Sequence, residues 1–469
     1  MIPPPESSTE NQQSPLNHAG FRVNKKPAFR DKANFILISA KIFLMGKFLK
    51  RVKKCLKVLG PGFITGSSDD DPSGIATYAQ TGARFGYNLL WASLFTLPLM
   101  VIAQEMCGRI GMVTGKGLSK IIREHYCRPL LYCTVALLFL ANTVNIGADL
   151  AAMAASAQLI FPLPFVLLLL AMTFLTLFLE IFVPYKTYAN YLKYLTISLF
   201  AYILAAFAVK QDWGKIAYAT FIPTISTSKD YIINIVAFLG TTISPYLFFW
   251  QAGEEIEEEV ASHKLKAIGG GKPKVTKYDI NRLRADTFLG MFFSNLVTFF
   301  IIITAAGTLG THGFLNIETA DQAAQALRPL AGDLAFLLFA IGIIGTGLLA
   351  VPVLAGSLSY AMAEAFGFRE GLYLKLKKAH GFYGVITLAT LLGLLINVTP
   401  VKPFTMLYYA AILNGICAPP LLLLILAIGN NQKIMGKYTN SSFSNIVGGL
   451  TAGIMGLASI LLLLHIGRP

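Results

Sequence analysis

Long apolar runs recur along the chain, separated by short polar stretches and almost free of charge inside. "LLLLAMTFLTLFLEIFV" and "LLYCTVALLFLANTVNIGADLAAM" are two of them, and between Arg128 and Lys186 only Asp149 and Glu180 carry charge. A helix needs about 20 apolar residues to cross the roughly 30 Å hydrocarbon core of a bilayer. The pattern therefore predicts eleven spans, at 60–86, 88–108, 130–157, 162–183, 188–209, 230–255, 287–309, 330–362, 381–400, 403–427 and 444–466. Segment 34–58 differs: it interleaves Lys with Leu, Ile and Phe, as an amphipathic helix in the headgroup region does, or a soluble cytoplasmic one. Residues 1–33 open polar and Pro-rich, without the apolar core of a signal peptide, and read as a disordered cytoplasmic tail. The expected class is an all-α polytopic membrane protein with its transmembrane domain at 59–467.

Charge changes the picture in one respect, orientation. Only 13% of the 469 residues are charged, against about 25% in soluble proteins, so a set of soluble domains is excluded. The net charge of +15 suggests nucleic acid at first sight. The cations, however, crowd into the loops at 109–128, 264–284, 369–380 and 433–437, which fall on one side if the N-terminus is inside. Eleven spans then leave the C-terminus outside, and no nucleic-acid partner is expected. Residues 22–57 hold twelve Lys or Arg against the single Asp31, a cytoplasmic apron suited to anionic lipid. The five cysteines show no metal-binding or redox spacing.

Two spans are interrupted. The first carries "GSSDDDPSG", with Asp69, Asp70 and Asp71 ahead of Pro72, and the sixth carries "GTTISPYLFFW", with Pro245 in mid-span. The two breaks recur five spans apart, the spacing of a transporter built from two inverted five-helix repeats with its substrate held between unwound segments. Simple proline kinks are the plainer reading. A carboxylate at bilayer depth needs a cation, a proton or a water-filled cavity. Asp71, where Pro72 pushes the backbone out of the helical region, combines a carboxylate with exposed carbonyls, hard oxygen ligands suited to Mg²⁺ or Mn²⁺. Ser68 and Gly74 flank it; Thr241 and Ser244 add oxygens from the sixth span, and Tyr246 is placed to orient a ligand or water. Asp69 and Asp70 fit cation attraction at the mouth or a solvent-facing vestibule. Asp149 is a candidate proton relay, pathway residue or partner of a polar neighbour, and Asn414 in "LNGICAPP" is a possible polar partner of the site. The glutamates of "QAGEEIEEEV" read first as a solvated, salt-bridged helix end and second as a cation exit funnel. The glycines at 269–271 lack the frame of a phosphate loop, and neither an ATPase partner, a resident cofactor nor an enzyme activity is expected.

These motifs, together with "RIGMVTGKGL" after the second span and "GTGLLAVPVLAGSLSYAMAEAFGF" in the eighth, resemble the NRAMP family of divalent-metal transporters over about 55–465. The resemblance implies a LeuT-like fold: repeat one at about 59–209, repeat two at about 229–427, and an eleventh helix at 444–466. It also implies that Asp71 and Pro72 match the family's Asp-Pro, while Ser73 and Gly74 stand where the family has Gly and Asn. Ser244 and Tyr246 take the places of its Met and His, and Thr241 that of an Ala. Of three proton-route acids, which fall on Asn142, Asp149 and Ala152, one survives. Loss of the thioether removes selection for softer metals, and a bare Gly74 leaves room for waters that Mg²⁺ gives up reluctantly. The pattern is most similar to the NRAMP-related magnesium transporter branch, which implies Mg²⁺ or Mn²⁺ import without obligatory proton coupling; compactness and the lack of organelle signals place the expected site in the plasma membrane of a prokaryote. A proton-coupled Mn²⁺/Fe²⁺ symporter, a LeuT-fold carrier of organic solutes, and a membrane scaffold or sensor are the alternatives.

Overall fold

The computed structural model describes residues 60–184, 187 and 196–466. The predicted tail 1–33, the predicted amphipathic helix 34–58 and the first part of the fifth span lie outside these residues. Among those described there are helices and no strands. In chain order the helices used below are α1 (Pro61–Asp69), α2 (Pro72–Phe85), α3 (Leu90–Thr114), α4 (Leu118–His125), α5 (Arg128–Gln158), α6 (Phe165–Phe182), α7 (Phe200–Ala208), α8 (Trp213–Phe221), α9 (Lys229–Thr242), α10 (Pro245–Ala261), α11 (Lys277–Ala305), α12 (Ala335–Phe366), α13 (His380–Ile396), α14 (Pro403–Asn430) and α15 (Ser442–Ile466). Eight stretches are long and apolar enough to cross a membrane, with α9 and α10 forming one of them. The remaining predicted spans correspond to the broken pair α1–α2, to α7 and to the shorter apolar helix α13.

Both predicted breaks are present, and proline makes each of them. Pro72 and Pro245 are the first residues of α2 and α10, where a missing N–H costs nothing. Each leaves unpaired the carbonyl four residues earlier, that of Ser68 or Thr241. The fold supplies both with donors: the Tyr246 hydroxyl reaches the Ser68 oxygen at 3.0 Å, and the Ser244 hydroxyl reaches the Thr241 oxygen at 2.9 Å. Between α1 and α2 the chain runs through Asp70 (φ −82, ψ 49) and extended Asp71 (φ −68, ψ 169), so the carboxylates sit on non-helical backbone.

Helix α1 is held against α11 by backbone-to-backbone packing. A Cβ on Gly66 would stand 2.3 Å from the Gly290 carbonyl carbon, and one on Gly290 would stand 2.3 Å from the Gly62 oxygen. Only glycine permits that approach, the usual device of close helix pairs in membranes. Helix α5 packs on α12, α13 and α14, and α2 packs on α11 and α14, so both breaks lie inside a shell of helices. Helix α11 begins ten residues before the predicted span. Thr276 caps it reciprocally with Asp279, whose carboxylate accepts from the Thr276 amide at 2.8 Å, and this extends the helix into a charged segment that hydropathy excluded.

Candidate functional site

Asp71 is the centre of the candidate site. Its residue is 1% exposed, and it serves as the N-cap of α2. One carboxylate oxygen accepts from the Gly74 amide at 2.6 Å and the Ser73 hydroxyl at 2.8 Å. The other accepts from the same hydroxyl at 2.9 Å and from Asn145 Nδ2 of α5 at 2.9 Å. Asn145 was not singled out in the sequence. The available signal was its place on one face of α5 with Asn142 and Asp149, three polar residues at helical spacing in an apolar helix.

Gly74 is closely packed beside this carboxylate. The point a Cβ would occupy there is 3.1 Å from Thr241 Oγ1, 3.2 Å from the Asp69 carbonyl oxygen and 3.3 Å from Asp71 Oδ1. Three oxygens from both broken segments thus gather around Gly74. Thr241 Oγ1 and Asn145 Oδ1 are buried without a hydrogen-bond partner. Buried polar atoms are normally paired, and groups left open in this way fit a ligand taken from water. Asp149 is wholly buried, with the Ser73 backbone amide within hydrogen-bonding reach of its carboxylate.

Other expected residues are engaged elsewhere. The Ser68 hydroxyl bonds back to the Ile64 oxygen at 2.9 Å, so Ser68 contributes its carbonyl to the break and not its side chain. Ser244 donates into the end of its own helix, to the Gly240 and Thr241 oxygens. Asn142 is tied to α12 through the Leu354 oxygen at 2.8 Å and Ser357 Oγ at 2.9 Å. Asp69 and Asp70 are 0% and 5% exposed and meet the Ser294 hydroxyl of α11 at 2.8 and 3.2 Å, which removes the solvent-facing vestibule reading. Asn414 is wholly buried with both amide atoms unpartnered. The glutamates at the end of α10 correct a further expectation. Glu254, Glu255, Glu257 and Glu259 are buried, not solvated. Glu257 accepts from the Tyr360 hydroxyl and the Leu372 amide, and Glu259 is paired with Lys264. Neither broken segment contains a methionine or a histidine. Among the described residues no three His, Cys, Asp or Glu side chains form a metal-holding group.

Two helices interrupted at facing prolines, inside a bundle of apolar helices, define a multi-pass membrane transporter of the LeuT-like class: two inverted five-helix repeats followed by an eleventh helix. Solved structures agree. The manganese transporter of Eremococcus coleocola superposes with a TM-score of 0.68 at 16% identity, covering 87% of this chain and 86% of that one. MHP1, a nucleobase-cation-symport-1 family transporter, gives 0.53 at 12% identity, covering 87% and 91%. The chain belongs to the Nramp family, natural resistance-associated macrophage protein-like, whose model matches residues 62–465. Among its relatives are the proteins named divalent metal cation transporter MntH of Bacillus subtilis, 24% identical over 88% of this chain and 93% of that one, and of Caldanaerobacter subterraneus, 24% identical over 88% and 94%.

Proposed function

We propose that this protein imports divalent metal cations, taking Mg²⁺ and Mn²⁺ without an obligatory proton step. The observation that carries the reading is the Asp71 carboxylate at the α1–α2 break, with the Asp69 carbonyl and Thr241 hydroxyl converging beside it at the side-chain-free Gly74. All are hard oxygen donors, and their small number leaves octahedral positions for water, the arrangement Mg²⁺ favours. The relatives named as divalent metal cation transporters, and the manganese transporter that shares the fold, support the substrate class. Ser244 and Tyr246 in place of a thioether and an imidazole, and Ala152 in place of an acid, support the absence of soft-metal selection and of a continuous proton relay. The proton-coupled alternative has one observation in its favour, the wholly buried carboxylate of Asp149. Loop charge supports a cytoplasmic N-terminus, an external C-terminus and contact of residues 22–57 with anionic lipid; a prokaryotic cell membrane belongs to the same reading.

The test is uptake of Mg²⁺, Mn²⁺ and Ca²⁺ into proteoliposomes with internal pH recorded at the same time. Mg²⁺ and Mn²⁺ enter without stoichiometric acidification, and Asp71→Ala abolishes entry while eluting as the native protein does. Stoichiometric acidification overturns the uncoupled reading, and unchanged uptake in Asp71→Ala removes the site.

A further inference from the structure

We infer that the non-helical segment 315–318, between α11 and α12, is the outer latch of this transporter: it holds α2 closed across a hydroxyl-lined route to Asp71, and an ion enters when it lets go. The inference rests on the orientation that places the end of α2 outside, and it adds to the metal reading the residues that control entry.

Three residues mark the route on α2. Ser73, Thr77 and Thr81 follow at intervals of four, so they share one face of the helix and lead from the Asp71 break towards its outer end. All three are buried, and Thr77 Oγ1 has no hydrogen-bond partner. A buried hydroxyl left open in this way fits a passage that takes up water when it opens. Above Thr77 the passage is shut. Thr81 Oγ1 accepts from Asn234 Nδ2 of α9 at 2.9 Å, and Asn234 Oδ1 accepts from the Tyr408 hydroxyl of α14 at 3.1 Å. One turn further out, Arg84 of α2 pairs with Asp230 of α9 at 2.6 Å.

The segment 315–318 fastens α2 from outside. Main chain takes both halves of the Gln80 amide: Nε2 donates to the Leu315 oxygen at 2.6 Å, and the Ile317 amide donates to Oε1 at 2.7 Å. A donor and an acceptor two residues apart grip the side chain as a neighbouring strand would, and together they fix which end of the amide is oxygen. The next residue, Glu318, pairs with Lys402, the N-cap residue of α14. The segment therefore ties α2 to the start of α14, the same two helices that Asn234 bridges closer to the site. Asn234 is wholly buried, whereas the side chains of Lys402 and Glu318 are 58% and 41% exposed. Water reaches the outer tie first, so that tie releases first.

Thr77→Cys reports the latch. Its labelling by a membrane-impermeant maleimide added outside intact cells is timed alone and combined with Gln80→Met, which keeps the length of the side chain and removes both bonds. Two hydrogen bonds of ordinary net strength correspond to about tenfold in the open-to-closed ratio, so labelling is about tenfold faster with Gln80→Met. Lys402→Glu sets two carboxylates against each other at the other end and speeds labelling about two- to threefold; adding Glu318→Lys restores the slow rate. Half-maximal uptake of external Mn²⁺ is reached at a several-fold lower concentration in Gln80→Met, because the entry-competent state is more populated. Labelling unchanged by Gln80→Met overturns the latch, and faster labelling with an unaltered half-saturating concentration overturns its role in entry. The buried Cys107 and Cys417 stay unlabelled in a folded chain. If Gln80→Met exposes them, Lys402→Glu and its charge-reversed partner decide alone. Labelling needs no ion, so a native chain that takes up no Mn²⁺ overturns the metal reading while the labelling still decides the latch.

Discussion

At the scale of single residues, Ser244 shows what sequence alone can and cannot reach. Its identity is informative: an oxygen stands where the family resemblance places a sulfur, and the expected selectivity follows. Its orientation was not legible, because serine at a helix end either faces the ligand or bonds back, and here it donates to the Gly240 and Thr241 oxygens. Ser68 behaves alike, reaching the break through its carbonyl, which only the Pro72 geometry exposes. Asp71 was legible because a carboxylate before a proline at bilayer depth has few structural uses. Asn145 was not, since one asparagine in an apolar helix has many partners open to it. Ser244→Met removes the two back-bonds and puts a thioether at the break. Competition assays in proteoliposomes are expected to show preference moving from Mg²⁺ towards Mn²⁺ and Cd²⁺ by roughly tenfold, as softer ligands dictate. An unaltered order of preference would mean that position 244 lies outside the ion's reach.

Elements raise a different question: what holds the broken helices in register. Both breaks were visible as proline in otherwise apolar spans, and their recurrence five spans apart gave the repeat. What fastens α1 was not visible, because the contact joins residues more than 220 positions apart. Asp286 of α11 accepts from the Gly60 amide at 2.9 Å and the Gly62 amide at 2.8 Å, capping α1 from a neighbouring helix. The first amides of a helix have no partner within it, so this carboxylate both satisfies them and meets the positive end of the helix dipole. Asp286→Ala removes the cap and leaves the glycine packing in place. Loss of a cap costs about 1–2 kcal/mol. Hydrogen exchange is the readout: amides of 61–69 are expected to exchange roughly tenfold faster, with those of 72–85 unchanged. Equal protection in the variant would show that close packing of Gly62, Gly66 and Gly290 alone fixes α1. The buried glutamates of α10 carry the same lesson. Five acids within six residues read as solvent-facing until tertiary donors such as Tyr360, Leu372 and Lys264 are known.

For the whole molecule, the deciding quantity is what drives net movement. A carrier that moves a divalent cation alone transfers two charges. Each charge is worth about 2.3 kcal/mol per 100 mV, so an inside-negative potential of about 100 mV supplies roughly 4.6 kcal/mol and sustains accumulation of roughly a thousandfold. No proton is needed for import on that scale, which fits a chain in which Asp149 alone remains of the three positions that the family resemblance gives to proton-route acids. A coupled symporter behaves differently, because part of its driving force is the proton gradient. Proteoliposomes with a potassium diffusion potential separate the two. Mn²⁺ is expected to accumulate when the interior is about 100 mV negative, and to leave when the sign is reversed. It is expected to show no net movement when a pH gradient is imposed with the potential clamped at zero. Accumulation that follows the pH gradient at zero potential would assign Asp149 to proton transfer and replace the uniport reading with symport.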